Sequence, residues 1–189
     1  MKRKDIKQSI KEYFFINPNA RLRVREIERV LKLPLPSVIR YCKELEKEGI
    51  LIIIRTGSVS FYTTSRNEKY LLEKKLCNIK MLYNCGIIEY LKRELSNSPI
   101  VLFGSYSKGE DTEDSDIDLY IETPSKKQVN FDKFKKILKR EIQIFQHKSL
   151  KEISNPHLAN NIINGMTINS YIEVFKWNKE NWSDYFDEE

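Results

Sequence analysis

Long apolar runs are missing from this 189-residue chain. Nothing in it approaches the roughly 18 to 20 consecutive apolar residues that a membrane-spanning helix needs. Residues 1–7 lead into no signal-peptide core, so the chain reads as cytoplasmic, with no membrane partner. Cysteine is scarce and odd in number: Cys42, Cys77 and Cys85 are too far apart for a C-x-x-C metal knuckle and suggest no disulfide framework. They read as ordinary buried thiols. Histidine is scarcer still, and His147 and His157 lack a metal-ligand spacing, which leaves them as surface residues. What is present, 40% hydrophobic and 11% aromatic residues beside 32% charged ones, is enough burial for a globular chain and argues against disorder. The length allows one good core or two small ones.

The net charge of +6 is unevenly spread. Residues 1–66 hold fifteen Lys or Arg against seven Asp or Glu, and the rest of the chain is slightly acidic. A basic segment of this size suits contact with a polyanion, and it equally suits a Lys-rich solvated surface.

Within residues 5–14, Ile6, Ile10, Tyr13 and Phe14 recur at helical spacing before Asn17-Pro18-Asn19 breaks the pattern. Val24, Ile27 and Leu31 mark a short second helix that stops near Lys32-Leu33-Pro34, because proline lacks an amide donor and restricts the residue before it. A third helix starts near Leu35-Pro36 and runs to Glu48, with Val38, Cys42 and Leu45 on one face and Gly49 as its stop. Two β-rich runs, 51–55 and 59–63, follow around a Thr56-Gly57-Ser58 turn and predict a hairpin.

Three helices and a hairpin in this order resemble the winged helix-turn-helix over about 60 residues, with 38–51 as the recognition helix running into the wing. The resemblance implies that Ser37, Arg40, Lys43, Glu44 and Lys47 face a DNA major groove, and that Arg55 and the wing tip reach phosphates. Winged helices also serve as protein-interaction and dimerisation modules, and Glu44, Glu46 and Glu48 oppose phosphate, so both uses stay open.

Residues 67–95 contain no proline and a single glycine, Gly86. Leu71, Leu72, Leu76, Ile79, Leu82, Ile87, Ile88 and Leu91 fall at mostly helical intervals, predicting a long connecting helix broken at Gly86. The helix joins the domains; a homodimer seam is the weaker alternative, because strict heptads are not sustained. Ser96-Asn97-Ser98-Pro99 ends it, and a domain boundary near Ser65-Arg66-Asn67 fits as well.

The chemistry concentrates after that boundary. A short apolar strand, Ile100-Val101-Leu102-Phe103, runs into Gly104-Ser105 and a loop, and an acidic stretch ends in Asp116-Ile117-Asp118-Leu119. Alternation along the second strand puts Asp116 and Asp118 on one face and Ile117 and Leu119 on the other. Two neighbouring carboxylates repel unless a cation lies between them, and Mg²⁺, which favours oxygen ligands and phosphates, is the natural one. Gly104 lets backbone amides approach a phosphate, Ser105 adds a hydroxyl, and Lys108 either holds phosphate or is an exposed loop lysine. A turn with solvated aspartates is the plain alternative, but it needs neither flanking apolar strands nor same-face acids.

Gly-Ser, ten residues, then Asp-x-Asp resembles the signature of the DNA polymerase β nucleotidyltransferase superfamily, particularly its minimal-nucleotidyltransferase branch. The resemblance implies that Gly104 and Ser105 hold the phosphates of ATP or another NTP. Asp116 and Asp118 would bind Mg²⁺, with two ions allowed, and a hydroxyl would join the α-phosphate as pyrophosphate leaves. That family places a third acid on a later strand, as metal ligand or base. Here the strand is 141–145, after a helix over 131–140, and Gln143 stands at that position. Glu141, two residues earlier and on the same face, is the candidate stand-in.

Residues 149–163 read as helical with an interruption at Asn155-Pro156, Asn164-Gly165 as a stop, and 166–175 as a β-rich run against the sheet. Residues 160–166 also resemble the end of some small nucleotidyltransferases. Trp177, Trp182, Tyr185 and Phe186 lie among Asp184, Asp187, Glu188 and Glu189 in a tail that either docks or frays.

The reading is therefore α+β: a winged helix-turn-helix over 1–66, a connecting helix over 67–97, and a polymerase β-like nucleotidyltransferase domain, a mixed sheet with flanking helices, over 98–189. Its expected activity is transfer of a nucleoside monophosphate, AMP foremost, from an NTP–Mg complex to a hydroxyl. By resemblance the acceptor is a partner protein such as a HEPN-type toxin in a toxin–antitoxin pair. The alternative is a regulator that binds double-stranded DNA and whose nucleotidyltransferase fold only senses nucleotide.

Overall fold

The computed structural model describes residues 5–174. The aromatic, acidic tail lies outside them.

Asp5 opens α1 (Ile6–Ile16) by accepting the Gln8 amide on its carboxylate. Next, α2 (Val24–Leu31) ends on Lys32 in the left-handed region, at φ 52°. Proline in the first turn of α3 (Leu35–Lys47) costs no hydrogen bond, and Gly49, at φ 75°, turns the chain away after it. Antiparallel strands β1 (Leu51–Thr56) and β2 (Val59–Thr64) pair Thr56 with Val59, so the loop is Gly57-Ser58 alone, one residue shorter than composition suggests. A bridge between Leu22 and Tyr62 ties the α1–α2 connection to β2. Ile10, Phe14, Ile27, Val38, Leu45 and Leu51 share one core.

Asn67 caps α4 (Glu68–Cys85) by accepting the Tyr70 amide, and Gly86 at φ 80° separates it from α5 (Ile87–Glu94), the break its sequence position suggests. The buried face of α4 is not the one that its leucines indicate. Tyr70, Lys74, Cys77, Asn78 and Leu82 are buried, whereas Leu72 and Leu76 are 56% and 57% exposed. Apolar residues occur on several sides of this helix, so partners rather than periodicity choose its buried side. Tyr70 and Cys77 enter the N-terminal core, and Leu82 enters that of the sheet.

The second half runs β3 (Ile100–Phe103), α6 (Gly104–Lys108), β4 (Ile117–Glu122), α7 (Asp132–Leu138), β5 (Ile142–His147), α8 (Pro156–Ile163) and β6 (Met166–Asn169). The sheet order is β5-β4-β3-β6. Strand β3 is antiparallel to both β4 and β6, and β4 is parallel to β5 through the α7 crossover, which makes the sheet mixed. Leu82, Ile87, Leu91 and Phe134 cover one face over Ile117 and Leu119. Ile162 and Leu150 cover the other, over Val101, Phe103 and Tyr120.

Four local expectations change. Residues 104–108 form a short helix rather than a loop. Lys139 at φ 53° ends α7 early, leaving Arg140 and Glu141 as an approach to β5. Among the described residues the last β-rich run pairs only to Asn169, because Ser170 at φ 56° turns the chain out of the ladder; Phe175 lies outside them. His147 is half-buried and stacks on Tyr120, since it lies on β5 rather than on an open loop; His157 is exposed on α8. Cys42 and Cys77 are buried free thiols, pushed by burial up to about 12 and about 11, and Cys85 is half-buried. Among the described residues no helix is long and apolar enough to cross a membrane.

Candidate active site

All four residues of β3 are buried, and the strand delivers Gly104 to the edge of the sheet at φ 72°. The ladder pairs Phe103 with Asp118, which brings the Asp118 side chain over the Gly104 Cα. A Cβ on Gly104 would stand 2.2 Å from Asp118 Oδ2 and 3.2 Å from its Cγ. Glycine is required here by backbone angle and by space together. Ser105, half-buried, is the second residue of α6, whose leading amides have no acceptor within the helix. The Ser107 hydroxyl donates to the Gly104 carbonyl at 2.7 Å and closes the turn. Lys108 ends α6 and is exposed.

Asp116 is exposed and immediately precedes β4, and Asp118 is half-buried within it. Burial, and then the Asp116 charge, hold the Asp118 carboxyl above its ordinary value of 3.8. Gln143 sits directly across the parallel ladder from Asp118. Glu141 lies one step outside that ladder, where its carbonyl accepts the Ile117 amide at 2.9 Å. Its exposed carboxylate accepts from Lys135 Nζ at 2.5 Å. Beside Asp116 a cleft of about 370 Å³ is lined also by Glu113, Lys135, Lys139, Arg140 and Glu141. Among the described residues no three acids, histidines or cysteines gather as a metal site.

These residues now have a family context. Residues 85–163 match the family model of a nucleotidyltransferase domain. No curated protein and no solved structure matches the chain. The matched segment begins at the end of α4, contains both halves of the Gly-Ser and Asp-x-Asp motif, and stops at the end of α8. The first 84 residues lie outside it.

In those residues, Arg40, Lys43 and Lys47 are exposed on α3, Ser37 is half-buried, and Arg55 is exposed on β1. Glu44 draws Lys7 to 3.4 Å and Arg40 to 3.7 Å, and Arg40 also stacks 4.3 Å above the Tyr41 ring.

A buried polar cluster lies behind the site, and no sequence pattern signals it. Asp111, Lys74, Asn78 and Arg140 are at most 7% exposed and meet one another. Asp111 is one acid in an acidic stretch and Lys74 one lysine of many, so only a lysine and an asparagine on the inward side of α4 were available as a signal.

Proposed function

We propose that the nucleotidyltransferase domain moves a nucleoside monophosphate, AMP foremost, from an NTP to a hydroxyl on a partner protein. The observation that carries this is the Asp118 carboxylate lying over Gly104, with Asp116 on the same side, at the mouth of an α6 turn that offers unpaired amides. In this reading phosphate donors and metal ligands meet at one point. The HEPN-type acceptor rests on the resemblance of the motif to the minimal branch of the superfamily.

Mg²⁺ fits Asp116 and Asp118, because two neighbouring carboxylates, one exposed and one half-buried over Gly104, supply the oxygen ligands that it prefers. When bound, such an ion neutralises phosphate charge and polarises the α-phosphate. A second ion has fewer ligands, since Gln143 supplies no carboxylate beside Asp118. In this reading the α6 amides and the Ser105 hydroxyl hold phosphate oxygens, with Lys108 as an outer charge. The Gln143 amide orients the acceptor hydroxyl by hydrogen bonding but takes no proton from it. Glu141 becomes a base only when Lys135 releases it. Residues 1–66 act as a winged helix, 67–97 as the connecting helix, and 98–189 as the transferase.

Transfer of label from α-labelled ATP with Mg²⁺ onto the protein and onto a lysate tests this reading, with Asp116→Ala as control. A labelled acceptor that disappears in the variant supports it; label that persists in the variant removes the metal assignment.

A second reading is favoured by Gln143 and by the exposed Arg40, Lys43 and Lys47. In it the chain is a DNA-binding regulator that senses nucleotide without turning it over. Absence of transfer despite ATP binding points to it. Substituting Arg40 and Lys43 by Ala would then weaken DNA binding and lower the salt slope by about one per lost phosphate contact. An unchanged slope would take α3 off the phosphates.

A further inference from the structure

The spacer between the phosphate turn and the aspartate pair is held along its length. Asp111, in its middle, is 2% exposed. Its carboxylate accepts from Asn78 Nδ2 at 2.8 Å, Lys74 Nζ at 2.9 Å and an Arg140 guanidinium nitrogen at 3.3 Å, and Lys74 also donates to its carbonyl. These donors come from α4 and from the approach to β5. Asn78 donates as well to the Tyr106 carbonyl at 3.0 Å, one residue beyond Ser105. A Cβ on Gly109 would meet the Leu71 carbonyl oxygen at 2.4 Å and the Lys75 amide nitrogen at 2.8 Å, so the spacer backbone lies flat on α4.

The same spacer reaches the N-terminal unit. Arg140 donates to the Ile16 carbonyl, at the end of α1, at 2.8 Å. Glu113 accepts the Asn19 amide at 2.9 Å and the Asn19 side chain at 2.6 Å. The Arg140 Nε is buried and has no hydrogen-bond partner among the described residues.

A buried ion pair is weak as a source of stability, since apolar residues of similar volume often serve as well. What it adds is direction: donors on separate elements can converge on one carboxylate in a single arrangement. That arrangement fixes Tyr106, hence Ser105, on one side of the spacer, and Arg140, hence Gln143, on the other.

We propose that Asp111 is a positioning residue of the nucleotide site. It sets the spacing between Ser105 and the Asp116–Asp118 pair, and through Arg140 it makes that spacing depend on the docked N-terminal unit. The proposal rests on the nucleotidyltransferase reading above. The N-terminal unit is then part of the frame on which nucleotide binds, whatever else it contacts.

The test is made on the full chain with wild type, Asp111→Asn, which keeps the shape and loses the charge, and Arg140→Lys, which keeps the charge but cannot span Asp111 and Ile16. Mg–ATP affinity is measured by calorimetry, and amide hydrogen exchange is measured without nucleotide, at a temperature where circular dichroism is that of wild type. Asp111→Asn is expected to speed exchange selectively over residues 104–116 and to weaken Mg–ATP binding by at least about tenfold, as misplacement of a bound group does. Arg140→Lys is expected to do both to a smaller extent, with faster exchange also at residues 16–19. Should Asp111→Asn not fold, Arg140→Lys carries the comparison. Uniformly faster exchange with unchanged Mg–ATP affinity overturns the proposal and leaves the cluster as a stabilising contact only. A wild type that binds no Mg–ATP overturns the nucleotide reading first, and this proposal with it.

Discussion

Gln143 lies directly beside Asp118 across the parallel ladder of β4 and β5. A neutral amide therefore stands next to Asp118, where the proposed transferase would use a third carboxylate. Replacing it by aspartate would place a carboxylate there without changing the backbone. Gln143→Asp is expected to raise label transfer by about a hundredfold, within the range of general-base catalysis. Glu141→Gln is expected to leave the wild-type rate unchanged, because Lys135 already holds Glu141. Single-turnover transfer measures both, and a rate abolished by Glu141→Gln would make Glu141 the base instead.

The Asp118 carboxyl also determines a pH dependence. Its folded value is raised, by burial first and by Asp116 second. An acid raised on folding binds its proton more tightly in the folded chain, so its ionised form opposes folding. That penalty is absent below its ordinary value of 3.8 and is fully present once pH exceeds the raised value. Asp118→Asn should therefore raise the melting temperature at pH 7, with the gain disappearing as the pH falls to that ordinary value. Mg²⁺ affinity should fall over the same window, because the ligand must be ionised. Asp116→Asn should lower the Asp118 titration only in part, since burial remains; carbon-13 carboxyl titration reads it.

Gly104 and Gly57 both have positive φ but differ in what surrounds them. A Cβ at Gly104 runs into Asp118, whereas at Gly57 nothing lies within 4 Å. Gly57→Ala should cost about 1 kcal/mol, from backbone strain alone. Gly104→Ala should cost about 3 kcal/mol or more, adding displacement of a half-buried carboxylate to that strain. Urea unfolding gives both values, and Mg–ATP binding should be lost only in Gly104→Ala. Equal costs would mean that the Asp118 contact is not held in solution.

Leucines on α4 test which way that helix faces. Leu82→Ala, in the sheet core, should cost about 2–5 kcal/mol. Leu76→Ala should stay within about 0.5 kcal/mol, because more than half of Leu76 is exposed. Denaturant midpoints decide it, and a large loss at Leu76 would reverse the face assigned to α4.

Much of the candidate site's geometry was legible because it is local. Gly104, Ser105, Asp116 and Asp118 lie on either side of one turn between two strands, and side-chain alternation is enough to put both acids on one face. The helix punctuation was legible for the same reason: Gly86, Pro36 and the prolines near residues 18 and 34 act on their own backbone. A strand carrying Gln143 after a helix was readable too, whereas its pairing with Asp118 was not.

Other features depend on residues far apart in the chain. Lys74 and Asn78 face inward only because Asp111, Tyr106 and Arg140 await them there, while Leu72 and Leu76 face out. Gly104 carries a steric requirement as well as a conformational one only because the β3–β4 register places Asp118 over it. Sequence by itself determined the spacing of Gly-Ser and Asp-x-Asp and the order of elements, since propensity, spacing and alternation act over a few residues. Tertiary structure alone decided which face of α4 is buried, which side chains enclose Asp111, and that the N-terminal unit braces the spacer. Those outcomes compare whole packing arrangements, in which burying a polar group is acceptable only where its distant partners converge.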